Sequence, residues 1–124
     1  MKELAAVGVH PHDSNDVDNN YIKELEHLVS YSKKVVAIGE IGKFIITGKL
    51  SPAGIQRKVM IEQMELAQSL NLPIIFHNRD ADDEILNVLK ESTFHRALSH
   101  CFSSDIAFAN QLVDLNIFYL FQEM

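Results

Sequence analysis

The sequence predicts an α/β fold in which parallel strands alternate with helices. Five short apolar runs recur along the 124 residues, and segments with helical hydrophobic spacing lie between them. The runs are continuously apolar, which is typical of strands that are covered on both faces of a parallel sheet. The predicted strands are Leu4–Val9, Val35–Ile41, Pro73–His77, Ala97–Phe102 and Ile117–Phe121.

Four apolar stripes at helical spacing predict the helices, and we expect all four to face the core. Their members are Ile22, Leu25, Leu28 and Val29; Ile55, Val59, Met60, Met64, Ala67 and Leu70; Ile85, Leu86 and Leu89; and Ile106, Ala109, Leu112 and Val113. Ser51 before Pro52, and Asp80, are good helix starts, whereas Asn71 followed by Pro73 ends a helix.

Two architectures accept this order of elements: an open doubly wound sheet and part of a (β/α)₈ barrel. They differ in strand order, because a barrel keeps sequential neighbours and a doubly wound sheet reverses. In both, ligands bind at the carboxyl ends of the strands. Residues 1–124 are expected to form a single domain, since 47% of them are apolar.

Charge and cysteine content limit the class of protein. The formal net charge of −6 disfavours non-specific coating of nucleic acid, which depends on many Lys and Arg contacts to phosphates. The single cysteine, Cys101, excludes an intrachain disulfide and favours a reducing compartment, so we expect a cytoplasmic protein. No apolar run approaches the roughly 20 residues of a membrane span, and no membrane association is expected.

Chemically capable side chains follow four of the five predicted strands. They are His10, His12 and Asp13 after the first strand, Glu40 at the end of the second, His77 and Arg79 at the third, and His100 at the fourth. A carboxylate and two imidazoles suit zinc and related divalent ions, and barrel enzymes draw ligands from several strands. Glu40, His77 and His100 therefore form a candidate metal set.

Each of these residues also has a structural interpretation. A single histidine at a strand end is more often a hydrogen-bonded structural residue than a ligand, so spacing alone leaves the two interpretations equally open. Arg79 could bind a substrate phosphate through its planar guanidinium, or it could pair with Asp82 or Asp83. His10 and His12 could simply belong to a turn.

The chain resembles the TatD family of metal-dependent hydrolases in several blocks taken in order: AAVGVHPHD, VVAIGEIG, LSP with Gln56 and Gln63 beyond it, LAQSLNLPIIFHNRDA and SHCFSS. The resemblance covers nearly the whole chain, and GEIG and IIFHNRDA are its more specific blocks. It implies a partial (β/α)₈ TIM-type barrel of about five parallel strands and four helices. It also implies a metal-dependent deoxyribonuclease, acting on DNA with single-stranded ends.

The resemblance implies roles for five residues. Glu40 matches the family's metal-bridging, catalytic glutamate, and His77 and His100 match the histidines that complete one metal's ligand set. Arg79 matches an arginine that positions phosphate, as a catalytic and substrate-binding residue. His12 matches a block near the active-site face and is expected to bind substrate. The implied cofactors are divalent ions: Mg²⁺, Mn²⁺ or Zn²⁺.

The chain also departs from the family pattern. The family's HxH pair on a first strand and its aspartate on a last strand have no counterpart here, and Phe44 stands where an aspartate is expected. We therefore expect a truncated chain with one metal site, a second site without its protein ligands, and weakened or absent activity. The alternative is a non-catalytic remnant that serves as a structural or partner-binding module. Two open sheet edges would further predict self-association.

Overall fold

The computed structural model describes residues 4–44, 53–79, 82–91, 96–102, 106–115 and 117–121. The strands are β1 (Ala5–Val7), β2 (Val35–Phe44), β3 (Ile74–Arg79), β4 (Ala97–Phe102) and β5 (Phe118–Phe121). The α-helices are α1 (Tyr21–Tyr31), α2 (Ala53–Leu70), α3 (Asp82–Glu91) and α4 (Ile106–Asp114), and a 3₁₀ helix, Pro11–Asp16, follows β1. None of the described helices combines the length and the hydropathy that a membrane span requires. The predicted helix starts at Ser51, Pro52 and Asp80 lie outside the described residues.

All five strands are parallel and lie in the order β1-β2-β3-β4-β5. This sequential order confirms the partial barrel and excludes the doubly wound sheet, whose strand order reverses. Because the strands are parallel, their carboxyl ends lie along one edge of the sheet, which we call the carboxyl edge. Residues that follow different strands are therefore brought together there.

The core lies between the sheet and the helices that cover it. The central strands contribute Ile38, Ile74 and Phe76, all with 0% exposure, and α3 contributes Ile85 and Leu89, also at 0%. Burying one such side chain stabilises the fold by roughly 1.5–3 kcal/mol relative to leaving it in water. The stripes predicted for α2 and α3 are buried or half-buried throughout, as expected.

The stripes predicted for α1 and α4 are only partly in the core. Leu25 and Leu112 are buried as predicted, but Leu28 is 49%, Ile106 79% and Val113 55% exposed, so their placement in the core was wrong. The two helices lie beside β1 and β5, the outer strands of the described sheet. A helix that packs beside an outer strand has a neighbouring helix on one side only, and part of its apolar face stays exposed to solvent.

The end of α2 at Asn71 was predicted correctly, and the structure shows its cause. Asn71 adopts the left-handed conformation with φ of 55°, which asparagine tolerates better than most residues. The N–H groups of Asn71 and Leu72 bond the carbonyl oxygens of Gln68 and Ala67 at 3.2 and 2.9 Å, the hydrogen-bond pattern of a Schellman cap. Arg96 donates to the Asn71 side-chain oxygen at 2.7 Å, which ties this turn to the start of β4.

Tyr21 connects α1 to α2 through a hydrogen bond. Its phenol, only 9% exposed, donates to Glu62 Oε1 at 2.8 Å. Burial, and then the adjacent Glu62 carboxylate, raise the pKa of Tyr21 well above its ordinary value of 10.0. The folded chain therefore keeps this proton at pH values where the unfolded chain loses it. The contribution of Tyr21 to the free energy of unfolding is thus complete below pH 10 and is lost as the pH rises above 10.

The variant Tyr21→Phe should lose this hydrogen bond, at a cost of about 1 kcal/mol at neutral pH. The free energy of unfolding of this variant should also decrease less above pH 10 than that of the unsubstituted chain, because the titrating hydroxyl is absent. Urea unfolding at pH 7 and between pH 9 and 11 measures both effects. Tyr31→Phe is the matched control, because it removes the same hydroxyl from a side chain that is 80% exposed and should leave the stability at pH 7 unchanged. An unchanged alkaline decline in Tyr21→Phe would contradict the assignment.

Candidate metal centre

The three candidate metal ligands lie on three neighbouring strands, each in the carboxyl-terminal half of its strand. Glu40 lies in β2, His77 in β3 and His100 in β4. The predicted position of Glu40 at the end of its strand was wrong, because β2 continues to Phe44. Phe76 pairs with Ser99 across β3 and β4, and these two residues immediately precede His77 and His100. The side chains of His77 and His100 lie outside the described part of the structure, whereas their backbone positions are described. Residues far apart in sequence therefore lie on adjacent strands, in the half of the sheet nearer the carboxyl edge.

Glu40 occupies an irregularity in the pairing of β2 with β3. Gly39 pairs with Ile75 and Ile41 pairs with Phe76, so Glu40 is the additional residue of a β-bulge. Its side chain is half-buried, and the Gly39–Glu40 peptide bond is cis. Bulges are frequent beside active sites, where they change the direction of a side chain. The sequence pattern of β2, an unbroken apolar run around Gly39, did not indicate this bulge.

A second irregularity lies in the pairing of β4 with β5, between Ser99 and Phe102. His100 lies within it. Two of the three candidate positions therefore stand where the strand pairing is interrupted, and neither interruption is visible in the hydrophobic pattern.

The other two predicted site residues also lie near the carboxyl edge. Arg79 is the last residue of β3 and pairs with Phe44 of β2. His12 lies in the 3₁₀ helix Pro11–Asp16, shortly after β1, where a turn was one of the two interpretations of the sequence. The side chains of Arg79 and His12 lie outside the described part of the structure, so their contacts stay predictions.

Gln63 is a buried polar residue to which the sequence assigned no role. The Val9 N–H donates to Gln63 Oε1 at 2.6 Å, and Gln63 Nε2 lies 3.3 Å from the Val9 carbonyl oxygen and 3.2 Å from that of Val59. A signal was present in the sequence, because Gln63 interrupts the apolar stripe formed by Met60 and Met64. Such a glutamine needs hydrogen-bond partners inside the core.

Gly8 and Gly39 allow β1 and β2 to approach closely beside Glu40. A Cβ added to Gly8 would lie 2.9 Å from the Gly39 carbonyl oxygen, and one added to Gly39 would lie 2.7 Å from the Ile75 carbonyl oxygen. A Cβ atom does not approach a carbonyl oxygen this closely, and the backbone that carries the oxygen cannot easily move away. Only glycine fits either position without a rearrangement.

The donor chemistry of the three positions suits a divalent ion, because it combines one carboxylate with two imidazoles. Among the side chains that the structure describes, no three His, Cys, Asp or Glu residues are grouped as a metal site would require. The imidazoles of His77 and His100 do not belong to that described set. A cleft of about 300 Å³ lies elsewhere, between the residues around α1 and those of α2, and no predicted site residue lines it.

Known proteins are similar to this chain in both sequence and fold. The family model described as "TatD related DNase" matches residues 2–123. The chain belongs to the TatD family. The resemblance predicted from the GEIG and HNRDA blocks is thereby confirmed, and the TatD model includes all five predicted site residues within its matched range.

The TatD relatives are longer than this chain. The uncharacterized metal-dependent hydrolase YabD of Bacillus subtilis is 42% identical over 121 residues, which cover 94% of this chain and 45% of YabD. The 3'-5' ssDNA/RNA exonuclease TatD of Klebsiella pneumoniae is 31% identical over 116 residues, covering 92% and 43%. The crystal structure of YJJV, a TatD homolog from Escherichia coli K12, superposes with a TM-score of 0.85 at 29% identity, covering 94% and 45%. The chain thus spans about half the length of the relatives that it matches.

Proposed function

We propose that this chain provides one divalent-metal site of a TatD-type nuclease, with Glu40, His77 and His100 as its ligands. The observation that carries the proposal is the placement of these three positions on adjacent parallel strands, in the carboxyl-terminal half of each strand. Barrel enzymes build their active sites at the carboxyl edge from the ends of several strands. A histidine with a purely structural role would not need two further candidate ligands on the adjacent strands.

The proposed reaction is the hydrolysis of phosphodiester bonds in DNA with single-stranded ends. Two relatives support it by their names, since one is called a metal-dependent hydrolase and the other an ssDNA/RNA exonuclease. Mg²⁺, Mn²⁺ and Zn²⁺ all suit the proposed function, and the donor set of two imidazoles and a carboxylate favours Zn²⁺ or Mn²⁺ over Mg²⁺.

A bound divalent ion would lower the pKa of a water molecule and neutralise charge on the phosphate. In this proposal Glu40 is both a ligand and a catalytic residue, since its carboxylate can also hold a proton of the attacking water. Arg79 binds and orients the phosphate through its planar guanidinium. His12, which follows β1 at the same edge, contacts the substrate. The net charge of −6 means that attraction for DNA has to be local, at Arg79 and the metal.

Titration of the chain with Mn²⁺ or Zn²⁺ by calorimetry tests the proposal directly, and the expected result is one bound ion per chain. In parallel, single-stranded DNA labelled at its 5′ end should be shortened slowly from the 3′ end with metal and remain intact with a chelator. A chain that binds neither ion would overturn the metal site. Bound metal without any hydrolysis would overturn the catalytic part and favour the non-catalytic module.

The proposal includes self-association through the outer strands β1 and β5. In the described part of the chain each of these strands pairs with one neighbour only, and the outer side of such a strand can pair with another strand. Sedimentation equilibrium should therefore show an average mass that rises with protein concentration above the 14.0 kDa of one chain. A constant mass of one chain would contradict this part. A cytoplasmic location, suggested by the single Cys101, also belongs to the proposal.

A further inference from the structure

We infer that Gln63 is a positioning residue for the end of β1 and for the Gly39 segment of β2, and thereby for Glu40. Gln63 lies in the middle of α2, and its side chain is 0% exposed. The inference rests on the proposed function, because the position of Glu40 has a chemical consequence only if Glu40 binds metal.

The Gln63 amide joins the end of β1 to α2. Its Oε1 accepts the Val9 N–H at 2.6 Å, and its Nε2 faces the carbonyl oxygens of Val9 at 3.3 Å and Val59 at 3.2 Å. Val9 lies two residues beyond the end of β1 at Val7, where strand pairing no longer supplies partners. A single side chain therefore bonds both backbone polar groups of Val9, which would be costly to leave unpaired in the interior.

Gly8 transmits this constraint to β2. A Cβ built on Gly8 would lie 3.0 Å from Gln63 Oε1 and 2.9 Å from the Gly39 carbonyl oxygen, so Gly8 is packed between the two groups. Glu40 follows Gly39 and is the additional residue of the bulge in the pairing of β2 with β3. The packed series Gln63, Gly8 and Gly39 thus fixes the position of the backbone immediately before Glu40.

The same hydrogen bonds anchor the segment that follows β1. His10 comes directly after Val9, and its carbonyl oxygen accepts the Asp13 N–H at 2.9 Å, at the start of the 3₁₀ helix. That helix carries His12 and contacts both α2 and β2. Gln63 therefore positions two parts of the proposed site together.

The test is Gln63→Met, which keeps the length of the side chain and removes both of its hydrogen-bonding groups. Hydrogen exchange of the Val9 amide, measured by NMR without metal, should become at least about 10-fold faster. The affinity for Mn²⁺ should fall about 10- to 100-fold, which is the range found when groups that orient metal ligands are removed. The controls are Ile85→Val, which removes a small part of a buried side chain in α3, and Leu112→Ala, which removes most of a buried side chain in α4. They should lower stability without changing the Mn²⁺ affinity of the folded chain.

If Gln63→Met does not fold, Gly8→Ala disturbs the same packed series while leaving the Gln63 amide intact, and it should reduce Mn²⁺ affinity similarly. Faster exchange at Val9 with unchanged Mn²⁺ affinity would overturn the positioning role and leave Gln63 a structural residue. Wild-type Mn²⁺ affinity in Gly8→Ala would overturn it as well. Failure of the unsubstituted chain to bind Mn²⁺ would overturn the proposed function, and this role with it, before any variant is made.

Discussion

The double variant His77→Ala/His100→Ala is expected to lose its affinity for a divalent ion by more than about 100-fold. Substitution of groups that merely orient metal ligands already costs about 10- to 100-fold, so removal of two direct ligands should exceed that range. Glu40 alone would remain of the proposed set, and one carboxylate does not hold such an ion tightly. Calorimetric titration with Mn²⁺ and Zn²⁺, compared with the unsubstituted chain, measures the loss.

The histidine His27 offers a control for this experiment. It lies on the exposed surface of α1, with its ring centroid 5.3 Å from that of Tyr31 and no role in the proposed site. His27→Ala should therefore bind metal as the unsubstituted chain does. Equal affinity in the double variant and in His27→Ala would mean that the ion binds elsewhere, and the proposed ligand set would be wrong.

The second large effect is expected from Gly39→Ala. The added Cβ would lie 2.7 Å from the Ile75 carbonyl oxygen and 2.8 Å from the Ile75 Cβ, on the adjacent strand. Because neither backbone nor Cβ can rotate away, the cost should reach the upper end of the range for overpacking, about 3 kcal/mol. For a chain of this size that corresponds to a fall in Tm of about 10 °C. Thermal unfolding followed by circular dichroism measures it.

Gly39→Ala should also weaken metal binding, since Glu40 is the next residue and β2 has to shift. The matched control is Gly54→Ala in α2, where an added Cβ meets nothing within 4 Å. Alanine there should stabilise the helix by about 0.5–1 kcal/mol, because glycine loses more conformational entropy on folding. A Gly39→Ala chain as stable as Gly54→Ala would show that the close approach of β2 and β3 is not rigid.

The fold was predicted more completely than the surroundings of the candidate site. Strand β4 has the predicted bounds, Ala97–Phe102, while β2 runs to Phe44, three residues beyond the predicted end at Ile41. The exposed Leu28 and Val113 were placed in the core because hydrophobic periodicity shows which residues share a face of a helix. It does not show whether another element covers that face.

The sequence alone determined the alternation of strands and helices, the TatD resemblance and the types of residue at the strand ends. These properties depend on residues close together in the chain, so local patterns report them. Only the tertiary structure decided the sequential strand order, the bulge at Glu40 and the packing of Gln63 and Gly8 against Gly39. Those features depend on register and contact between residues tens of positions apart, such as Val9 and Gln63, which hydrophobic periodicity does not encode.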